Sequence, residues 1–132
     1  MSKYTRLNWA KVALLTIDVQ RDFALRDGAM EIPGTMEMVP NIQRLVTVFR
    51  RSKKPIVHVV RIYRADGSNV DLCRKEGIEA GRPVVLAGSA GAELVNALKP
   101  SAQVTLDTLR SLLGTLQSLS DNEWVMYKPR WG

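Results

Sequence analysis

The chain alternates between short apolar runs and longer segments of helical or polar pattern. Three of the runs are rich in β-branched residues and predict strands at 11–18, 55–62 and 123–128. Within the first, the stretch VALLTI (Val12 to Ile17) is continuously apolar, which is typical of a strand covered on both faces. The strands are therefore expected to form the buried centre of the domain.

Helical periodicity separates these runs and predicts helices near 38–52, 90–98 and 107–118. The first has apolar residues at three- and four-residue steps, with Thr35 as its expected N-cap and regular helix beginning near Pro40. The polar stretch 64–83 predicts a long excursion or lid with one short helix. A strand–helix–strand order implies a parallel pair with a right-handed crossover, so we expect an α/β fold.

Composition limits the classes of protein that need to be considered. The chain has 132 residues, 45% hydrophobic and 24% charged, which suits one soluble domain. No apolar run approaches the ~20 residues that span a bilayer, and the N-terminus lacks the apolar core of a signal peptide. The one cysteine, Cys73, excludes an internal disulfide and fits a reducing cytoplasm.

The net charge of +6 does not by itself indicate a nucleic-acid partner. The densest basic patch, RRSKK (Arg50 to Lys54), falls where the first predicted helix ends. Cations at that position complement the helix dipole. No nucleic-acid motif accompanies the patch, so we expect neither a nucleic-acid nor a membrane partner.

The candidate chemistry lies at the ends of two predicted strands. Asp18 ends the first strand and Lys128 ends the third. In an open parallel sheet the carboxyl ends of all strands lie along one edge, where ligands bind, so the acid and the base should meet there. From spacing alone, a structural salt bridge and a functional pair remain equally open.

Other polar residues near this edge also have two interpretations. Arg61 and Arg64 leave the second strand there and are either a clamp for a substrate carboxylate or solvated cations at a loop mouth. The only histidine, His58, lies inside the second strand without the spacing of a metal-ligand set, which favours a hydrogen-bonded core or pocket-edge histidine.

Four segments in this order, LLTIDVQRDF, PIVHVVRIYRADGSNVD, GSAGAELVNALKP and EWVMYKPRWG, resemble the isochorismatase-like cysteine hydrolases. The resemblance covers nearly the whole chain. It implies a Rossmann-like three-layer α/β/α fold with a parallel sheet, of which this chain would hold the first three strands. It also implies an Asp–Lys–Cys triad that hydrolyses a C–N bond of a small amide or an isochorismate-type vinyl ether.

Residue by residue, the resemblance assigns roles to several positions. Asp18 and Lys128 match the aspartate and lysine of the triad, the carboxylate taking the thiol proton and the ammonium lowering the pKa of the thiol. Phe23 and Trp131 match positions that shape the pocket wall. Gln20 and Asp22 are expected to brace the loop after the first strand.

The third member of the triad has no match in this sequence. In the family the nucleophilic cysteine follows the lysine motif, whereas this sequence ends four residues after Lys128. Cys73 precedes the lysine and lies in the polar excursion, so it is not expected to be the nucleophile. We therefore expect residues 1–132 to be a C-terminally incomplete isochorismatase-like domain. The Asp-x-His metal element of the nicotinamidase branch is missing, and we expect no metal or other cofactor.

Two functions of different class follow from these observations. The first is a cysteine hydrolase of a small-molecule substrate that holds two of three triad residues and is inactive as this chain alone. The second is a truncated or degenerate non-catalytic product that acts as a binding or assembly partner. Because the first strand would present an unpaired apolar edge, the chain is expected to form homo-oligomers.

Overall fold

The computed structural model describes residues 2–130, and these fold as a mixed α/β unit. Its sheet has the order β1-β2-β4-β3, where the strands are β1 (Leu14–Ile17), β2 (Ile56–Val60), β3 (Gln117–Ser120) and β4 (Glu123–Tyr127). Strands β1, β2 and β4 are parallel, and β3 is antiparallel to β4. The expected α/β, Rossmann-like class is confirmed. No helix among the described residues is long and apolar enough to cross a membrane.

The three predicted strands are present in the predicted spatial order, with shorter bounds than the apolar runs suggested. A fourth strand, β3, adds an antiparallel edge that the sequence pattern did not predict. β1 lies at the opposite edge of the sheet, and the expectation that both of its faces are covered is wrong for the described residues, since Leu14 packs against the core but the alternate residues do not. Leu15 and Ile17 are 55% and 57% exposed.

Four α-helices connect these strands: α1 (Arg21–Ala24), α2 (Thr35–Arg51), α3 (Leu72–Glu79) and α4 (Thr108–Ser111). The long helix α2 confirms the prediction near 38–52, but it begins at Thr35, with Gly34 rather than Thr35 as its N-cap, and it contains Pro40. The apolar face of α2 packs over β1 and β2 against Leu14 and Ile56. The helix α3 is the short helix expected in the polar stretch.

The predicted helix at 90–98 is wrong. Two short 3₁₀ turns, Ala90–Ala92 and Asn96–Leu98, stand there instead. Between them, Leu94 forms an antiparallel bridge with Gln20, and the Val95 amide donates to the Val19 carbonyl at 3.2 Å. The backbone groups that a helix would use internally are thus bound to the segment after β1.

The predicted helix at 107–118 is also wrong beyond its first turn. Asp107 caps α4 through its side chain, as expected, but the helix ends before Gly114, whose φ is +82°. The side chain of Gln117 then bonds back to Asp107 and Thr105, both at 2.8 Å, and the chain continues as β3. The leucine spacing predicted one buried helix face, but Leu109 and Leu113 are both strongly exposed.

A row of hydrogen-bonded polar side chains runs across the three parallel strands and links them to α2. Arg50 on α2 donates twice to the carboxylate of Glu123 on β4, at 2.8 and 2.6 Å. His58 on β2 continues the row, with its Nε2 2.8 Å from Glu123 Oε1. Thr16 on β1 ends it, with its Oγ1 2.7 Å from His58 Nδ1. The histidine is therefore the hydrogen-bonded core residue that its position in a strand indicated.

The ionisation of Glu123 depends on these neighbours. Burial alone would raise the pKa of the Glu123 carboxyl, but hydrogen bonds from Arg50 and His58 and their charges outweigh burial and lower the pKa to about 2. A carboxyl whose pKa is lowered in the folded state stabilises the fold above its unfolded pKa. That stabilisation is lost as the pH falls from the ordinary value of 4.5 towards 2.

We therefore expect Glu123→Gln to lower the free energy of unfolding at pH 7 by about 3 kcal/mol, because it leaves the partly exposed Arg50 and the buried His58 without an anionic partner. Urea unfolding between pH 2.5 and 7 checks this. The wild type should lose stability steeply below pH 4.5, and the variant should lack that component. Asp121→Asn, at an exposed acid in the same hairpin, serves as the control with an unchanged pH profile. Equal pH profiles for the wild type and Glu123→Gln would contradict the network's role.

The segment after β1 is fixed by a second close contact, between Asp22 and the loop at 85–91. Asp22 Oδ2 accepts the Val85 amide at 2.6 Å, and Val85 has a φ of +41°, an uncommon value for a β-branched residue. A Cβ added to Gly91 would lie 2.1 Å from Asp22 Oδ2. Only glycine at position 91 leaves room for this carboxylate.

Gly91→Ala should consequently destabilise the fold by about 2 kcal/mol or more, because the Asp22 carboxylate must move and leave the Val85 amide without its acceptor. Gly77→Ala is the matched control, since its added Cβ would meet nothing within 4 Å inside α3. The control should instead gain about 0.5–1 kcal/mol from helix propensity. Thermal and urea unfolding of both variants give the comparison, and a neutral Gly91→Ala would be inconsistent with the contact.

Candidate active site

The backbone ladder brings Asp18 and Lys128 together at the carboxyl edge of the sheet. The Asp18 amide donates to the Val59 carbonyl at 2.9 Å, and the Lys128 amide donates to the Val60 carbonyl at 3.0 Å. Both residues are thus attached to consecutive positions of the central strand β2. Their side chains meet across it, with Lys128 Nζ 2.6 Å from Asp18 Oδ2. The predicted contact is present.

The Asp18 carboxylate has one oxygen committed to this ion pair and one that is not. Oδ1 is buried and has no hydrogen-bond partner among the described residues. The two side chains are 14% and 17% exposed, so the pair is partly desolvated. A buried carboxylate oxygen without a donor is costly, and it is an acceptor available to a further polar group.

The backbone at Asp18 is also unusual. Its φ of +57° lies in the left-handed region, which Asp and Asn adopt several times more often than other non-glycine residues. Such conformations cost free energy and concentrate at functional sites. The turn ends β1 abruptly and holds the carboxylate at the edge of the sheet beside Lys128.

Gln20 and Asp22 hold the loop that follows β1, as the sequence predicted. Gln20 is fully buried; its amide nitrogen donates to the carbonyls of Arg61 and Ala92, both at 2.8 Å. Its oxygen accepts the Arg61 amide, also at 2.8 Å. Asp22 binds the Val85 amide as described above. These two side chains therefore fasten the loop beside Asp18 to β2 and to the segment around Ala92.

Phe23 lies in a buried cluster next to this loop rather than on an open surface. It is 1% exposed and packs with Tyr63, Val84, Val85 and Ala92. Phe23 therefore lies beneath the carboxyl edge and supports it by packing. The expectation that it shapes a pocket wall remains a prediction.

Arg61 is fully buried, so its interpretation as a solvated cation is wrong. The guanidinium donates to Asp71 at 3.1 Å, to the hydroxyl of Tyr127 at 3.1 Å and to the carbonyl of Asn69. Asp71 also accepts the hydroxyl of Tyr63 at 2.9 Å. Arg61 thus ties the polar excursion to β2 and β4, and in this arrangement its donors face protein acceptors instead of an open cleft.

The two remaining residues that were predicted to bind substrate, Arg64 and Trp131, lie at the surface and outside the described residues, respectively. Arg64 is exposed, and its backbone amide donates to Asn69 Oδ1 at 2.8 Å. Trp131 lies outside the described residues. Substrate binding by Arg61, Arg64, Phe23 and Trp131 therefore remains a prediction.

Cys73 is not at the ion pair. It is exposed on α3 and lines a cavity of about 270 Å³ with Met30, Arg74 and Val84. Neither Asp18 nor Lys128 lines that cavity. This placement agrees with the expectation that Cys73 is not the nucleophile.

Sequence reasoning missed the residues that support the site from below. Glu123, Asn69 and Asp71 were not singled out, although Glu123 is bonded to the buried ring of His58 and the other two accept from the buried guanidinium of Arg61. The available signal was Glu123 at the start of an apolar strand, where an acid requires a buried partner. Within residues 2–130, no group of three or more His, Cys, Asp or Glu side chains could hold a metal ion.

Comparison with known proteins identifies the family. The isochorismatase domain model matches residues 12–110. A probable inactive nicotinamidase of Arabidopsis thaliana is 34% identical over 91 residues, which cover 68% of this chain and 46% of that protein.

Crystal structures of related proteins resemble this fold. An isochorismatase family protein from Desulfovibrio vulgaris subsp. vulgaris str. Hildenborough has 38% identity and a TM-score of 0.63, over 70% of this chain and 49% of its own. A nicotinamidase/pyrazinamidase from Bacillus subtilis has 26% identity and a TM-score of 0.57, over 88% and 55%. The chain thus spans about half the length of these relatives. With the fold and the matched residues taken together, the chain belongs to the isochorismatase family.

Proposed function

We propose that this chain carries the Asp–Lys part of an isochorismatase-like cysteine-hydrolase site, with Asp18 and Lys128 as catalytic residues. The substrate class is a small molecule with an amide C–N bond or an isochorismate-type vinyl ether. The ion pair at 2.6 Å on the carboxyl edge of the sheet is the observation that carries this proposal. The nicotinamidase-type relatives support the amide as the first substrate to test.

The two side chains have separate tasks in this proposal. Asp18 Oδ1, which has no described partner, accepts the proton of the nucleophilic thiol. The Lys128 ammonium balances the charge of the carboxylate and stabilises the thiolate that forms. The left-handed backbone at Asp18 and the ladder bonds to β2 keep the carboxylate in position while the proton moves.

The thiol itself comes from polypeptide other than these 132 residues. Cys73, the one cysteine of the sequence, is exposed on α3, away from the residues of the ion pair. The chain alone should accordingly show no amidase or isochorismatase turnover. An exposed free thiol also fits a reducing compartment, and we place the protein in the cytoplasm on that ground.

A non-catalytic role as a binding or assembly partner is the second candidate. It is favoured by the 34% identity to a protein that is named a probable inactive nicotinamidase. In that case the Asp18–Lys128 pair would act as a structural salt bridge. Activity and stability measurements on the same variants distinguish the two candidates.

The test fuses the chain to the C-terminal half of the Desulfovibrio relative. Over the part of that relative that matches this chain, the two sequences are 38% identical. We expect the soluble fusion to hydrolyse nicotinamide or an isochorismate-type ether. Asp18→Asn and Lys128→Ala should each lower kcat/KM by about 100-fold or more, because each removes a group needed for thiolate formation. Substrate loss and product formation are followed by chromatography.

Two controls complete the experiment. Asp66→Asn, at an exposed acid, and Cys73→Ser should leave kcat/KM within about twofold of the parent fusion. A folded, active fusion that retains full activity in Asp18→Asn would refute the catalytic assignment. Turnover by the 132-residue chain alone that disappears in Cys73→Ser would refute the assignment of the thiol. A folded but inactive fusion in which Lys128→Ala only lowers stability would favour the structural role.

A further inference from the structure

Arg61 directly follows β2 and lies between the two chain segments that carry Asp18 and Lys128. Its side chain is fully buried among the described residues. A buried guanidinium is unfavourable unless protein acceptors satisfy its donors. The identity of those acceptors, together with the backbone contacts of Arg61, indicates what this residue does for the ion pair.

The backbone of Arg61 holds the loop that follows Asp18. Gln20, two residues beyond the acid, accepts the Arg61 amide through Oε1 at 2.8 Å. The Nε2 of Gln20 donates to the Arg61 carbonyl, also at 2.8 Å. Because Gln20 is fully buried, water does not compete for these two hydrogen bonds. The loop that carries the acid is thus attached to the backbone of Arg61.

The guanidinium of Arg61 holds the other segment, where β4 leads into Lys128. Nη1 donates to the Tyr127 hydroxyl at 3.1 Å and makes a weaker contact with the Lys128 carbonyl at 3.5 Å. The Lys128 amide donates to the carbonyl of Val60. Two consecutive residues, Val60 and Arg61, therefore contact the amide and the carbonyl of the lysine.

The polar excursion fixes the orientation of the guanidinium. Nε donates to Asp71 Oδ2 at 3.1 Å, and Nη2 donates to the carbonyl of Asn69. The Asn69 side chain in turn donates to the Tyr127 hydroxyl at 2.9 Å. Since the donors of a guanidinium form a rigid planar fork, acceptors on several sides leave it one orientation. Arg61 is consequently a rigid bridge between the loop after Asp18 and the end of β4.

From these contacts we infer that Arg61 is a positioning residue, which keeps the Lys128 ammonium 2.6 Å from the Asp18 carboxylate. Its effect on turnover rests on the proposed hydrolase function, whereas the positioning itself is a property of the fold. This role is the alternative to a clamp for a substrate carboxylate. It is favoured because the guanidinium is buried and each of its nitrogens already donates to the protein.

The two roles predict different kinetics. Loss of a substrate clamp raises KM, whereas loss of a positioning residue lowers kcat. In the fusion to the Desulfovibrio half, Arg61→Met should lower kcat by about 10-fold or more and leave KM within about twofold, because small displacements of reacting groups are costly. Arg61→Lys should be impaired to the same extent, since an ammonium cannot replace the planar fork. Arg110→Met, at an exposed arginine of α4, is the control with unchanged kcat.

A pair of tyrosine variants tests the same bridge without removing a buried cation. Tyr127→Phe deletes the hydroxyl that joins Arg61 to β4, and it should lower kcat by about 3- to 10-fold. Tyr63→Phe is the matched control, because its hydroxyl donates to Asp71 and not to β4. Its kcat should stay within about twofold of the parent fusion. Both variants keep the Arg61–Asp71 ion pair, so they report on the bridge even where Arg61→Met does not fold.

The Lys128 ammonium gives a measurement that needs no turnover. In the fusion labelled isotopically at lysine, NMR follows the rate at which the ammonium protons exchange with water. This rate should rise by about 10-fold in Arg61→Met and Tyr127→Phe, because the ion pair opens locally more often. It should not change in Tyr63→Phe. Chemical denaturation of each variant separates this local opening from a loss of global stability.

Several results would overturn the inference. One is an Arg61→Met fusion with a raised KM and an unchanged kcat, which would identify a substrate clamp. Others are full activity of Arg61→Lys, equal effects of the two tyrosine variants, or a Lys128 signal that does not respond to Tyr127→Phe. Failure of the proposed function has a different signature, namely an inactive fusion or full activity of Asp18→Asn. In that case ammonium exchange alone decides whether Arg61 positions the pair.

Discussion

The carboxylate of Glu123 is the interaction on which the alignment of this sheet depends. It is 1% exposed, and it joins Arg50 of the long helix to His58 of the central strand, which in turn contacts Thr16 of the first strand. One buried anion thereby connects the helix to all three parallel strands. Burying it without these partners would be unfavourable, so the side chains are committed to a single relative position of helix and strands. The alignment of the strands determines where each strand ends relative to its neighbours. Asp18 and Lys128 directly follow the ends of β1 and β4.

The sequence predicted the main features of this site because they follow from periodicity and from the geometry of parallel sheets. Apolar runs located the strands, and the ends of such strands necessarily share an edge. Asp18 and Lys128, which are separated by 110 positions, could therefore be placed together without any knowledge of side-chain contacts. The roles of Gln20 and Asp22 in holding the adjacent loop were implied by the family resemblance, and their hydrogen bonds agree with those roles.

The features that could not be predicted are those decided by tertiary contacts. The apolar residues at 94, 95 and 98 have helical spacing, yet the backbone there bonds to the segment after β1. The leucines from 109 to 116 show the same spacing, but a left-handed glycine and the side chain of Gln117 turn the chain into an edge strand. The burial of Arg61 was not predicted, because its acceptors, Asp71, Asn69 and Tyr127, are distributed over two other parts of the chain. Local pattern carries no information on such partners.

The left-handed backbone at Asp18 has a consequence for how sequences of this kind can diverge. Aspartate and asparagine both tolerate that conformation, whereas most other side chains are strained in it. A lineage under no selection for chemistry can therefore exchange the acid for its amide and keep the turn, the strand end and the packing beneath it. Neutral substitution at this position therefore favours asparagine. A descendant can then keep the fold without keeping the carboxylate on which the reaction depends.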